Sequence, residues 1–295
     1  MSLSARRNPG STRPRSGFSC FLPHSELSRL NRHAGSPVLV SAAMLEVLQL
    51  SSLYQDLTDG AFDPFVHEAL RLCGYSRSFE KLAAGTAASP VQPSQPLAVR
   101  QPFTLHAAMR SVTLPAGSSL DLGGIVKSWA VKRLAGWFRT KRQAAFGLIN
   151  AGGDLTAWGL PEAKPWRIGI ENPWDSRADI GHICFTNGAS ATSSTLGRQW
   201  QTKLGRMHHL IDPATLLPSS SDIVQCTTAG SDPVACEIWA KTLCILGSEA
   251  GLALLARRAA PVEALLFGRD KRIIFYGSPS SVHTTWRNVQ IDHIA

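Results

Sequence analysis

Apolar and polar positions along this 295-residue chain change period several times. "SAAMLEVLQLSSLYQ" (41–55) repeats its apolar residues at helical spacing behind Ser41, a residue suited to capping a first turn. "TDGAFDP" breaks that run with Gly and Pro, and "FVHEALRLCGY" predicts a second helix. "SVTLPAGSSLDLGG" suggests strand, turn and strand ahead of a long amphipathic helix through "IVKSWAVKRLAGWFRTKR". Short strands follow: "FGLIN", "DLTAWG", "WRIGIENP", "HICFT", the run into "HHLIDP", and "IVQCTTAG". Helices are expected over 233–247 and 249–258 with Ser248 as the cap between them, then a hairpin of "VEALLFG" and "RIIFYG" about "RDK". Helices gather early and late while strands fill the middle, which predicts an α+β fold: one compact domain with a central mixed or antiparallel sheet.

That domain is expected over 18–295; one segment precedes it and another, within it, stands apart from its core. "MSLSARRNPGSTRPRSG" (1–17) holds four arginines and no acid, and reads as a flexible basic tail. Residues 83–100 are Pro-rich and low in complexity, a connector rather than core. No apolar run reaches the roughly 18–20 residues of a membrane span. No export signal is evident, so a cytoplasmic protein is the expectation. Six cysteines without a C-x-x-C argue against a zinc knuckle or a disulfide framework. The net charge of +9 suits nucleic acid or a phosphate-bearing small molecule; no recognition motif accompanies it, so a nucleic-acid partner is not expected.

Four segments carry the candidate chemistry. "TDGAFDP" sets Asp59 and Asp63 about a permissive glycine. "DLGGIVK" places two glycines before a helix, so that free N–H groups, the helix dipole and Lys127 offer an anion site. "NAGGD" is a second glycine turn ending in an acid, and "HHLIDPAT" brings two imidazoles and a carboxylate within five residues. On a strand the two rings of His208 and His209 lie on opposite faces.

In order and spacing these segments, with "SELSRLN", "LINAGGDLTAWG", "ASATSS" and "ACEIWAKTLCILG", resemble the ApbE-type FAD:protein FMN transferases from about Phe18 to Phe267. The resemblance implies a transferase that moves FMN from FAD to a Ser or Thr hydroxyl of an acceptor flavoprotein, releasing AMP with the help of Mg²⁺. The alternative is an FAD-binding protein of the same fold without the chemistry. By similarity Phe21 lies against the flavin, Ala61, Phe62 and Asp63 contact FAD, and Asp121 and Lys127 make further contacts. His209 falls at the family's reactive histidine, either taking the acceptor's proton or stabilising the phosphoryl group. Asp212 orients that ring or caps the "DPAT" turn. The family's metal site uses an Asp and a Thr at i and i+4 with backbone oxygens; here Glu237 and Lys241 occupy those two positions, with Gly124 and Ala240 at the backbone ones. A protonated lysine has no lone pair for a metal. That leaves a cation with fewer protein ligands, a lysine in place of the cation, or a plain Glu–Lys helix bridge. The family's usual strand and helix before "SELSRLN" are expected to be missing.

Overall fold

The computed structural model describes residues 17–77, 79–82, 102–202 and 205–295. The expected tail, apart from Gly17, and the connector lie outside the described residues.

The chain opens with α1 (Glu26–Arg32), whose cap Ser25 accepts the Ser28 amide, and the short strand β1 (Pro37–Leu39). Helix α2 (Ala42–Leu57) starts as its sequence predicts, with Ser41 Oγ accepting the Met44 amide at 3.1 Å. It buries Met44, Val47, Leu48, Ser51 and Tyr54, one stripe of the 3.6-residue period. A 3₁₀ turn (Pro64–Val66) capped by Asp63 leads into α3 (His67–Leu72). Strands β2 (Thr104–His106) and β3 (Ser111–Thr113) join β1 in a small antiparallel sheet, order β1-β3-β2.

The second strand expected in "SSLDLGG" does not form. Asp121 Oδ1 instead accepts the Gly123 amide at 2.7 Å, and the Asp121 amide donates to Pro64 O. Such a side-chain turn competes with a strand ladder. It delivers the chain into α4 (Val126–Lys141).

The middle of the chain is strand. β4 (Gly147–Ala151) and β5 (Asp154–Trp158) form a hairpin through Gly152 and Gly153, both at positive φ. β6 (Trp166–Asn172) pairs with β7 (Asp175–Phe185), of which "HICFT" is only the end. Next come β8 (Gly188–Ser194), the hairpin of β9 (Gln199–Thr202) with β10 (Gly205–His208), and the short pair β11 (Ile211–Asp212) and β12 (Leu217–Pro218). Strand β13 (Ile223–Gly230) precedes helices α5 (Pro233–Leu246) and α6 (Ser248–Arg257). Ser248 is the first residue of α6 rather than its cap. Asp222 reaches across to accept its amide at 2.9 Å and its hydroxyl at 2.5 Å, so the cap comes from outside the helix. Strands β14 (Val262–Gly268) and β15 (Ile273–Tyr276) form the expected hairpin, followed by β16 (Trp286–Arg287) and β17 (His293–Ile294).

The central sheet has seven strands in the order β17-β15-β14-β13-β8-β5-β4, antiparallel throughout except for the parallel pair β15/β17. Helix α5 packs on β8 and β13, and α4 on β4 and β5. A second sheet, β16-β7-β6, covers the other face. This explains the unbroken apolar run of β14: Ala264 and Leu266 join the core beneath α5, while Leu265 and Phe267 join the one shared with Trp286 and Ile183. The fold is therefore α+β with a mixed sheet, as the pattern predicts. Among the described residues no helix is long and apolar enough to cross a membrane.

Candidate functional site

A cleft of about 970 Å³ opens where the Asp121–Gly124 turn, the start of α4, the β10–β11 connection and α5 converge. That volume lies at the upper end of small-molecule sites, which run to about 1,000 Å³. Nine of the twelve residues singled out in the sequence line it: Phe21, Ala61, Phe62, Asp63, Asp121, Gly124, Lys127, His209 and Lys241. Asp212, Glu237 and Ala240 do not.

The floor is a cluster of four charges. Glu237 is wholly buried on α5; its Oε1 accepts from Lys241 Nζ at 2.6 Å and lies 3.7 Å from Lys127 Nζ, while Oε2 accepts the Ser128 amide at 3.2 Å. Lys127 also bonds Asp154, the acid that closes the "NAGGD" turn. Burial alone would raise Glu237, but the two lysines hold it below the usual carboxylate range. Asp154 is pushed up by burial and by the charge of Glu237, against the pull of the lysines. Burial works against the charge of Lys127, yet Glu237 and Asp154 outweigh it and raise its pKa. Gly124 lies against this cluster at ordinary van der Waals distance. A Cβ at that position would sit 3.4 Å from Lys241 Cε and 3.5 Å from the Phe62 ring.

The glycine turn is a poorer anion cradle than its sequence suggests. The Gly123 amide is taken by Asp121, the Val126 amide by Leu122 O and the Ser128 amide by Glu237. Side-chain cations supply much of the positive charge facing this cleft: Lys127, Lys241 and also Arg71, Arg77 and Arg198 reach its lining. The lining acids Asp63 and Asp121 are engaged in local structure, Asp63 by the Phe65 amide and Gln55, Asp121 by Gly123 and the thiol of Cys20.

The adjacent histidines divide as strand geometry requires. His208 is buried and satisfied: its Nε2 meets Ser219 O at 3.0 Å and its Nδ1 accepts the Leu210 amide at 3.3 Å. His209 faces the cleft, and its Nδ1 is buried without a hydrogen-bond partner. Burial, then the charges of Lys241 and Arg198, push His209 down to about 3, so the ring is neutral at ordinary pH. The backbone of Arg198 alone pulls the other way. A neutral imidazole carries a lone pair on one ring nitrogen, and Nδ1 is the one buried without a partner here. Asp212 stays on its turn, with Oδ1 accepting the Ala214 amide at 2.9 Å and Oδ2 the Thr215 hydroxyl at 3.2 Å.

Arg198, Tyr75 and Asp154 belong to the site without a role that the sequence pattern assigns. Tyr75 links Phe21 to Trp200 in an aromatic series, with centroid separations of 5.4 and 5.2 Å. Nothing local marks Tyr75 or Arg198. Asp154 did carry a signal, an acid directly after a Gly-Gly turn.

The family model of the ApbE family matches residues 12–266. The chain belongs to the ApbE family. An FAD:protein FMN transferase of Klebsiella pneumoniae is 28% identical over 253 residues, covering 85% of this chain and 77% of that protein. One of Vibrio cholerae is 28% identical over 255 residues, covering 83% and 73%. Among solved structures, the ApbE protein of Thermotoga maritima superposes with a TM-score of 0.78 at 24% identity, over 88% of this chain and 84% of that one. The flavin transferase ApbE of Vibrio cholerae gives 0.69 at 23% identity, over 93% and 92%. These likenesses carry the fold.

The four positions that the ApbE resemblance assigns to a cation do not form a cage for a divalent ion in this chain. Lys241 is a donor bonded to Glu237, and Ala240 is fully buried inside α5, away from the cleft. The neighbouring hydroxyl of Thr242 is buried, unpartnered and also outside the lining, so it does not fill in for Lys241. Among the described residues one other cluster has metal-ligating spacing: Cys20, His67 and Asp121, their ligand atoms within 4.8 Å of one another. Its sulfur and imidazole suit a softer metal than Mg²⁺.

Proposed function

We propose that this protein is an FAD:protein FMN transferase that moves FMN from FAD to a Ser or Thr hydroxyl of an acceptor flavoprotein. The observation that carries this reading is the unpartnered Nδ1 of a neutral His209 set in a cleft with aromatic and cationic linings. The names of its relatives supply the substrate, and the cleft supplies a match in size and chemistry. Phe21, Tyr75 and Phe62 offer apolar surface to a flavin ring, while Lys127, Arg198 and Lys241 offer positive charge to a diphosphate.

In this reading the acceptor hydroxyl oxygen attacks the phosphorus of the FMN half. Its proton passes to His209 Nδ1 as the new P–O bond forms. The bond from that phosphorus to the bridging oxygen breaks, and AMP departs with the oxygen. Lys241 and Arg198 offset the charge that gathers on the phosphoryl oxygens. The ApbE resemblance implies Mg²⁺ as a further source of that charge; no step here passes through it.

The test is to mix the purified chain with FAD and an acceptor domain verified with an active relative. AMP release and covalent flavin on the acceptor are read together. Release of AMP matched one-to-one by flavinylated acceptor supports the reading. Bound FAD with neither product removes it and leaves a flavin-binding protein.

A further inference from the structure

We propose that the ammonium of Lys241 is the resident cation of this site, so that the protein handles its diphosphate with no divalent metal bound at Glu237. The inference rests on the transferase reading for its substrate, but its physical basis is the arrangement of charges in the floor of the cleft.

Glu237 is the carboxylate a divalent ion would need, and both of its oxygens are in use. A hard cation binds carboxylate oxygen at about 2.0–2.6 Å. Lys241 Nζ already stands 2.6 Å from Oε1, with Lys127 Nζ a further positive charge at 3.7 Å. An incoming ion would occupy the same space as one ammonium and face the other. The charge balance points the same way. Glu237 and Asp154 are matched by Lys127 and Lys241, a neutral set, whereas an uncharged residue at 241 would leave one negative charge to attract a cation.

The placement of Lys241 suits the role. Its side chain is 13% exposed and lines the cleft, while its stem packs over Gly124. The ammonium is thereby fixed from below by Glu237 and held beside His209, whose pKa registers its charge. Because the glycine turn has spent several of its amides internally, a fixed side-chain charge here is the group that meets a phosphate. An ammonium with three donors can bond Glu237 and still direct a proton at a phosphoryl oxygen.

The experiment combines two measurements on the full chain. Mn²⁺, a paramagnetic substitute for Mg²⁺, is titrated into the protein with and without FAD and followed by electron paramagnetic resonance. AMP release is measured in EDTA and in millimolar Mg²⁺. The wild type is expected to leave Mn²⁺ free and to release AMP at the same rate in both media. The double variant Glu237→Asp/Lys241→Thr is expected to bind one Mn²⁺ and to become EDTA-sensitive. Lys241→Met removes the charge and is expected to slow AMP release on the order of 10²-fold. Because that variant strands a buried carboxylate, Glu237→Gln/Lys241→Met supplies a neutral pair of similar shape for the same measurement. Stoichiometric Mn²⁺ binding by the wild type, or AMP release that EDTA abolishes, would overturn the proposal. If no AMP appears under any condition, the transferase reading fails, and Mn²⁺ binding decides the status of Lys241 by itself.

Discussion

Two ionic clusters in this protein use similar groups to opposite ends. At the surface, Asp59 accepts from both Arg257 and Arg258, joining the turn after α2 to the end of α6. In the floor of the cleft, the buried carboxylates of Glu237 and Asp154 meet Lys241 and Lys127, whose side chains keep part of their surface in the cleft. Water and salt screen the first, so its loss is easily absorbed. In the second, the two carboxylates have no solvent to fall back on. Breaking a buried pair leaves a desolvated charge, whereas removing both partners can be nearly neutral. An ion pair's consequence is thus set by its surroundings more than by its geometry.

The strongest way to break the comparison is Lys241→Met. It should cost about 3–5 kcal/mol in urea unfolding, and Glu237→Gln/Lys241→Met should recover most of that loss. A single variant as stable as wild type would mean that water reaches Glu237 after all.

Next in size is His209→Asn. AMP release should fall by about 10²–10⁴-fold, the usual reach of a general base, with FAD affinity largely kept. The same variant sharpens the electrostatics. The folded value of about 3 lies below the ordinary 6.5, so between those pH values the unfolded chain binds a proton that the folded chain refuses. Stability from this group is complete above 6.5 and declines as pH falls toward 3, by on the order of 1 kcal/mol per unit. His209→Asn should flatten that part of a urea-midpoint profile relative to wild type. Identical slopes would place the ring in contact with water.

His208→Ala tests the satisfied partner. Losing its bonds to Ser219 and Leu210 should cost about 1–3 kcal/mol. Among the folded fraction, AMP release per molecule should change far less than in the His209 variant. The smallest effect belongs to Asp59→Asn, which should leave the urea midpoint unmoved at physiological salt. A clear shift there would show the exposed cluster to be stronger than screening allows.

Particular residues show how much of this could be read beforehand. The cap of α2 at Ser41 and the β14/β15 hairpin are local events, set by residues within a few positions of one another, and the structure matches the pattern at both. "SSLDLGG" did not follow its pattern because Asp121 turned its side chain onto the backbone, a choice favoured by the contact with Pro64. The start of α6 departs from its pattern for a related reason: Asp222, from the segment before β13, makes the cap. Arg198 and Tyr75 reach the cleft without a sequence signal, since an arginine in the connection between β8 and β9 and a tyrosine after a short helix have no spacing that betrays a ligand.

By itself the sequence determined the α+β class, the order of the segments and the one-turn separation that sets Glu237 and Lys241 on a common face of α5. Each follows from short-range periodicity, which the chain writes into neighbouring residues. Tertiary structure alone decided what that pair is. On an open helix it would be a bridge worth a few tenths of a kcal/mol. Packing α5 against α4 and the central sheet buried the carboxylate, brought in Lys127 and Asp154 from distant segments, and left one ammonium facing the cleft. Burial and long-range contact set the strength of a charge, and neither is encoded in the spacing of two residues along a helix.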